Sequence, residues 1–94
     1  MNMKEKIKNI KESSIAQIEN SKNLKELYDL KVKYLGKKGE LTTILREMKN
    51  LAPDERPKMG SLVNEVRDEL EKLFEVKEKE LKREELQKRL ETEN

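Results

Sequence analysis

The chain reads Leu-Ala-Pro-Asp-Glu-Arg-Pro over residues 51–57, and this stretch holds both of its prolines. Pro53 suits the first position of a helix, where its missing N–H costs nothing. Asp54 and Glu55 suit the same place because carboxylates are stabilised at the positive end of a helix dipole. Apolar residues recur at helical spacing on both sides of the stretch. The sequence therefore predicts that the chain reverses here, with a helix on either side.

Residues 34–42, upstream of the reversal, read Tyr-Leu-Gly-Lys-Lys-Gly-Glu-Leu-Thr, so that two of the chain's three glycines bracket two lysines. A glycine inside a helix costs about 1 kcal/mol relative to alanine. We therefore expect a break in the helix here, with Lys37 and Lys38 displayed where the backbone turns. Gly36 is expected at the C′ position of the preceding helix, a common place for glycine.

The apolar pattern divides the chain into four helices, at about residues 3–19, 22–35, 40–49 and 57–90. Ser21 is expected to cap the second helix, because its hydroxyl can accept a hydrogen bond from a backbone N–H two or three residues on. The apolar seam of the last helix consists of Met59, Leu62, Val63, Val66, Leu70, Leu73 and Phe74. Because later apolar residues leave this stripe, packing is expected to weaken beyond Phe74.

These elements predict an all-α fold: an antiparallel helical hairpin, with an additional N-terminal helix covering its base and a long C-terminal helix. The composition agrees, because 94 residues that are 45% charged and 33% hydrophobic can bury only a narrow apolar seam. No Gly/Ser-rich linker is present, so residues 1–94 are expected to form a single domain.

The absent residue types exclude whole classes of chemistry. The chain has no cysteine and no histidine, so it cannot build a thiol nucleophile, a disulfide, a zinc site with these ligands or an imidazole catalyst. The glycine-bracketed lysines do not match the P-loop pattern. We therefore expect no catalytic, cofactor-binding or metal-binding residue in this chain. No apolar run approaches the ~20 residues that span a bilayer, and no signal peptide is evident, so a cytoplasmic location is expected.

Charge is distributed unevenly along the chain. Residues 1–50 contain 12 Lys and Arg against 7 Asp and Glu, whereas residues 51–94 contain 10 against 13. The local excess ends at Lys37 and Lys38 and could meet phosphates, although surface lysines more commonly serve as a solvated face. The three aromatic residues, Tyr28, Tyr34 and Phe74, lie on or beside apolar stripes, so burial is favoured over stacking on bases.

The order and spacing of these landmarks resemble one family over nearly the whole chain. The Tyr-Leu-Gly-Lys-Lys-Gly and Leu-Ala-Pro-Asp-Glu-Arg-Pro stretches, followed by Gly60 and Asn64, are similar to the N-terminal domain of the bacterial phenylalanyl-tRNA synthetase alpha subunit. The resemblance implies a coiled-coil arm that reaches from the enzyme body to the outside of tRNA. It also implies a parent class II ligase that uses ATP and magnesium, in a heterotetramer with a second alpha subunit and beta subunits. The class II motifs themselves are absent from residues 1–94.

Such an arm would orient tRNA through its sugar-phosphate backbone without reading bases. The candidate phosphate contacts cluster at the glycine break, the third helix and the proline turn, and are Lys37, Lys38, Arg46, Lys49, Arg56 and Lys58. The alternative is a purely structural spacer or an oligomerisation element, whose seam a second copy or another subunit completes. Self-association of the isolated chain would fit that alternative.

Overall fold

A computed structural model of the chain describes residues 2–92, and the side chains of residues 2–89. This part of the chain is helical and contains no strand. Its elements are α1 (Met3–Asn20), α2 (Leu24–Leu35), α3 (Glu40–Glu47) and α4 (Arg56–Thr92), and a 3₁₀ turn over Met48–Asn50 continues α3. The molecule is a rod of 63 × 19 × 19 Å. The predicted all-α class, the hairpin and the long C-terminal helix are confirmed.

Contacts between side chains fix the direction of each helix. The Lys11 ammonium lies 2.9 Å from a Glu69 carboxylate oxygen, and Lys77 Nζ donates to the Glu19 carbonyl at 3.2 Å. Both pairs join residues 58 apart in the chain, so α1 and α4 run parallel.

The middle of the chain runs in the opposite direction. On α2, the Tyr34 hydroxyl lies 3.3 Å from Ser13 Oγ of α1. Further along, Lys6 of α1 pairs with Glu47 of α3 at 3.4 Å. α2 and α3 therefore form one broken arm, antiparallel to both α1 and α4. The first helix was expected to cover the base of the hairpin, and α1 covers more than that, because its contacts run along the flank from Glu19 to Lys6.

The core is a single column of apolar side chains, as the low hydrophobic content requires. α4 supplies Val63, Val66, Leu70, Phe74 and Leu81, each at most 3% exposed. The other helices cover this row with Ile7, Ile18, Leu27, Tyr34, Leu41, Ile44 and Met48. Ser14 is fully buried in the α1 stripe, where its hydroxyl donates to the Lys11 carbonyl at 2.9 Å. Because the hydroxyl is hydrogen-bonded within α1 and the serine side chain is small, α1 can pack closely against its neighbours at this point.

Packing on α4 extends to Leu81, about two helical turns beyond Phe74, where the predicted seam ended. Packing does weaken beyond Phe74 as expected, since Val76 and Leu86 are 62% and 58% exposed, but Leu81 is only 2% exposed and was not expected to be buried.

Lys77 lies between Phe74 and Leu81 on α4. Its side chain is only 16% exposed, and its ammonium donates to the Glu19 carbonyl near the end of α1. A lysine stem can cover apolar surface while its charged end meets a helix C-terminus. The described side chains beyond Leu81, those of residues 82–89, are all exposed.

Asparagine side chains, rather than serine, begin the first two helices. Asn2 Oδ1 accepts from the Glu5 backbone N–H, and Asn23 Oδ1 accepts from the Glu26 backbone N–H, both at 2.8 Å. The prediction that Ser21 caps α2 is therefore wrong. Its hydroxyl donates to the Ile18 carbonyl at 2.6 Å and so closes the end of α1.

The two glycines of the α2–α3 loop are required by close backbone approach. Gly36 ends α2 as predicted, but with φ −70° and ψ 174°, so its backbone is not left-handed. A Cβ on Gly36 would lie 2.5 Å from the Val32 carbonyl oxygen. A Cβ on Gly39 would lie 2.7 Å from both the carbonyl carbon and the oxygen of Tyr34. The loop is thus folded back tightly on the last turn of α2.

Substitution of Gly39 by alanine should destabilise the domain, because the backbone of Tyr34 must move to admit a methyl group. Gly60 is the matched control, since a Cβ there meets only Met48 Sδ at 4.0 Å and Gly60 lies within α4. We expect Gly39→Ala to lower the free energy of unfolding by about 1–3 kcal/mol. Gly60→Ala should raise it by about 0.5–1 kcal/mol, as alanine favours the helix. Urea unfolding followed by circular dichroism measures both changes, and equal effects would contradict the tight loop.

Candidate nucleic-acid interface

The loop between α2 and α3 holds two lysines at the tip of a hydrogen-bonded turn. The Gly39 N–H donates to the Gly36 carbonyl at 2.9 Å, and the Thr42 hydroxyl donates to the same carbonyl at 2.8 Å. Lys37 and Lys38 occupy the two central positions of this turn, and both are exposed. The backbone beneath the two ammonium groups is therefore fixed, while the side chains project from it.

Beyond the loop, α3 and its 3₁₀ continuation carry two more of the predicted cations. Arg46 and Lys49 are exposed and lie about one helical turn apart. The neighbouring acid, Glu47, turns away toward α1, where Lys6 neutralises it. Lys38 also borders the groove between α1 and α3, beside Glu40 and Glu47. The outer face of α3 is consequently basic, and its acidic side chains lie along the α1 side.

Arg56 has a structural function that the sequence did not indicate. Its Nε donates to the Leu51 carbonyl at 3.2 Å, and its Nη2 donates to the Lys49 carbonyl at 2.8 Å. These carbonyls end the 3₁₀ turn and would otherwise have no helical partner. The guanidinium therefore clamps the reversal closed and holds Lys49 against the start of α4. Its role as a phosphate contact stays a prediction.

The structure places the six predicted residues in two groups, one at each end of α3. Lys49, Arg56 and Lys58 lie at the reversal, with Arg46 about one turn before them. Lys37 and Lys38 lie at the other end of α3, about 12 Å away along an eight-residue helix. Among the described residues, no hydrogen bond or ion pair engages the side chains of five of the six: Lys37, Lys38, Arg46, Lys49 and Lys58.

Burial of the aromatic residues follows the prediction for two of the three. Tyr34 and Phe74 are 1% and 3% exposed, and the Lys33 ammonium lies 5.2 Å from the centre of the Tyr34 ring. Tyr28 is 66% exposed, so its predicted burial is wrong. Val32, four residues further on α2, is also 51% exposed. Two apolar residues one turn apart are typical of a buried helix face, so the sequence carried no signal that Tyr28 and Val32 face outward.

Within residues 2–92, no group of three or more acidic side chains is arranged to hold a metal ion. The pKa of Glu78 is lowered by the hydrogen bond from Lys82, then by the charge of Lys82 and, to a smaller extent, of Lys31. In the same part of the chain, no helix is long and apolar enough to cross a membrane.

Comparison with known proteins identifies the family. Residues 22–90 match the family described as the aminoacyl-tRNA synthetase class II N-terminal domain. The chain is 54% identical over 91 residues to the phenylalanine–tRNA ligase alpha subunit of Natranaerobius thermophilus, covering 97% of this chain and 27% of that protein. It is 44% identical over 88 residues to the alpha subunit of Geobacillus kaustophilus, covering 94% of this chain and 26% of that protein.

The chain thus spans about a quarter of the length of these relatives. Its resemblance to phenylalanine–tRNA ligase alpha subunits, first indicated by the glycine and proline landmarks, extends over nearly all of its residues. The chain belongs to the family of class II aminoacyl-tRNA synthetase N-terminal domains.

Proposed function

We propose that this domain is the tRNA-binding arm of a phenylalanine–tRNA ligase alpha subunit. The observation that carries the proposal is the row of five cations along α3 and its two flanking turns, none of them paired within the described residues. When an unpaired surface cation contacts a phosphate, it displaces counterions from the nucleic acid, and the release of those counterions contributes to binding affinity. The relatives are named as subunits of a tRNA ligase, so tRNA is the partner that we propose for this chain.

The mechanism of such an arm is positional. Lysine and arginine side chains contact phosphates and sugars, which fixes the register of an RNA without reading its sequence. The cations here stand on elements whose backbones are constrained, by the hydrogen-bonded glycine turn and by the Arg56 clamp. Because the spacing between the two groups is set by α3, the arm would recognise the shape of a folded tRNA.

We further propose that the catalytic work belongs to parts of the ligase outside residues 1–94. Those parts would use ATP and magnesium to join phenylalanine to tRNA, in an assembly with beta subunits and a second alpha subunit in the cytoplasm. The chemistry of this chain supports that division, because it contains neither cysteine nor histidine.

The alternative function is a structural spacer. It is favoured by the exposure of every described side chain from Lys82 to Arg89. At the start of that length of α4, Lys82 pairs with Glu78 at 2.9 Å. A helix end of this kind could serve as a rigid connection to a following domain.

The purified chain should neither activate phenylalanine nor charge tRNA. ATP–pyrophosphate exchange and aminoacylation assays should give background rates, with a complete phenylalanine–tRNA ligase assayed alongside as the active reference. Phenylalanine-dependent exchange by the chain above background would refute the assignment of catalysis to other parts of the ligase.

Binding of tRNA by the chain should be weak and should depend steeply on salt. Neutralisation of four phosphates predicts a slope of log K against log [salt] of roughly −3 to −4. Replacement of Lys37 and Lys38 together by alanine should flatten this slope by about one to two units, because two phosphate contacts are lost. Fluorescence anisotropy of labelled tRNA at several salt concentrations measures both quantities.

The matched control is the double substitution Lys72→Ala with Arg83→Ala, which removes the same charge from exposed positions of α4. It should leave the slope within about half a unit of the parent, whereas an effect equal to that of Lys37→Ala with Lys38→Ala would mean that only net charge matters. If the loop variant binds like the parent, the lysines are a solvated surface. A parent chain with no affinity even at low salt would favour the spacer.

A further inference from the structure

Arg56 lies at the reversal between α3 and α4, where one edge of its guanidinium is bound to the backbone of its own chain. Its Nε donates to the Leu51 carbonyl at 3.2 Å, and its Nη2 donates to the Lys49 carbonyl at 2.8 Å. The donors of a guanidinium stand in a rigid, planar fork. Two hydrogen bonds from one edge therefore fix both the plane of the group and the direction of its other edge.

The other edge of this guanidinium, formed by Nη1 and Nη2, has no partner within residues 2–89. A guanidinium has five N–H donors, and the two carbonyls use only two of them. Arg56 is exposed, and no ion pair in this part of the chain engages it. The acids that directly precede it, Asp54 and Glu55, are exposed and do not pair with it. Its charge is consequently available to a ligand.

The surroundings of Arg56 favour a phosphate of a nucleic acid as that ligand. Two parallel N–H groups match two oxygens of a phosphate or of a carboxylate. Lys49 contributes the carbonyl that orients Arg56, and Lys58 follows two residues later in the first turn of α4. Both lysines are exposed. Three cations in one place favour the closely spaced phosphates of a nucleic-acid backbone over a single carboxylate.

We infer that Arg56 is a preoriented, bidentate contact for one phosphate of the tRNA backbone. This inference rests on the tRNA-binding function proposed above. Because the two carbonyls hold the side chain before RNA binds, less conformational freedom is lost on binding. A lysine at this position would keep the charge, but its ammonium lacks the fork that binds two carbonyls on one edge and two phosphate oxygens on the other. Arg56 is thus set apart from the other five candidate cations.

The test compares the same substitution at two exposed arginines, Arg56→Lys and Arg46→Lys. Both keep the charge, but no hydrogen bond from a described residue orients Arg46. In fluorescence anisotropy with labelled tRNA, Arg56→Lys should raise the dissociation constant at least about tenfold, and Arg46→Lys less than about threefold. The slope of log K against log [salt] should stay within about half a unit of the parent in both variants. Equal losses of affinity would show that the inference is wrong.

A second measurement separates the phosphate contact from the structural effect of the clamp, because Arg56→Lys also removes the bonds to Lys49 and Leu51. Nuclear magnetic resonance of ¹⁵N-labelled arginine side chains observes the guanidinium directly, and Arg56→Lys identifies its signals. Addition of tRNA should shift the Nη signals of Arg56 and leave its Nε signal, which reports the bond to Leu51, nearly unchanged.

Nη signals of Arg56 that do not move when bound tRNA is present would overturn the inference, whatever the affinity of Arg56→Lys. That result would leave the proposed function intact, since the other cations could still hold tRNA. A parent chain that binds no tRNA even at low salt would refute the proposed function, and this inference with it.

Discussion

Each of the other helices depends on one apolar row of α4, because α1, α2 and α3 all pack against that row. Full burial of a Val, Leu or Phe side chain contributes about 1.5–3 kcal/mol, whereas an exposed ion pair contributes about 0–1 kcal/mol. In a chain that is 45% charged, the five buried residues of this row therefore contribute more to stability than the surface ion pairs do. The rod shape follows, because a single straight row can be covered only by helices laid along it.

The same constraint positions the cations. One uninterrupted helix could have covered the row, but the chain uses α2 and α3 with the Gly36–Gly39 turn between them. The backbone of this loop packs closely against the last helical turn of α2, and the side chains of Lys37 and Lys38 are exposed. At the far end of α3, the Arg56 guanidinium ties the 3₁₀ turn to α4. Both ends of the basic edge are thus fixed by backbone geometry, and α3 sets the distance between them.

Sequence reasoning predicted what depends on local structure. The helices, the glycine break and the proline reversal were visible because glycine, proline and apolar spacing act over a few residues. It failed where two neighbouring residues could each cap the same helix, or where burial depends on a residue far away in the chain. Ser21 and Asn23 can each cap a helix, and the bond from Ser21 to the Ile18 carbonyl settled which one begins α2. The burial of Leu81 required knowing how far α1 and α2 extend along α4, a contact between residues far apart in the chain.

Sequence reasoning about the candidate site had the same strength and the same weakness. Exposure of the six cations was predictable, since lysine and arginine seldom bury their charges. The structural use of Arg56 and the exposure of Tyr28 were not, because each depends on which helix lies alongside. The fold lays the basic first half of the chain against the acidic second half. Opposite charges therefore meet along the α2–α4 groove, whereas the outer face of α3, which lies away from α4, keeps its cations unpaired. A nucleic acid would accordingly be directed to the outer face of α3 rather than to the groove, where the acidic side chains Glu75 and Glu78 are already paired with lysines.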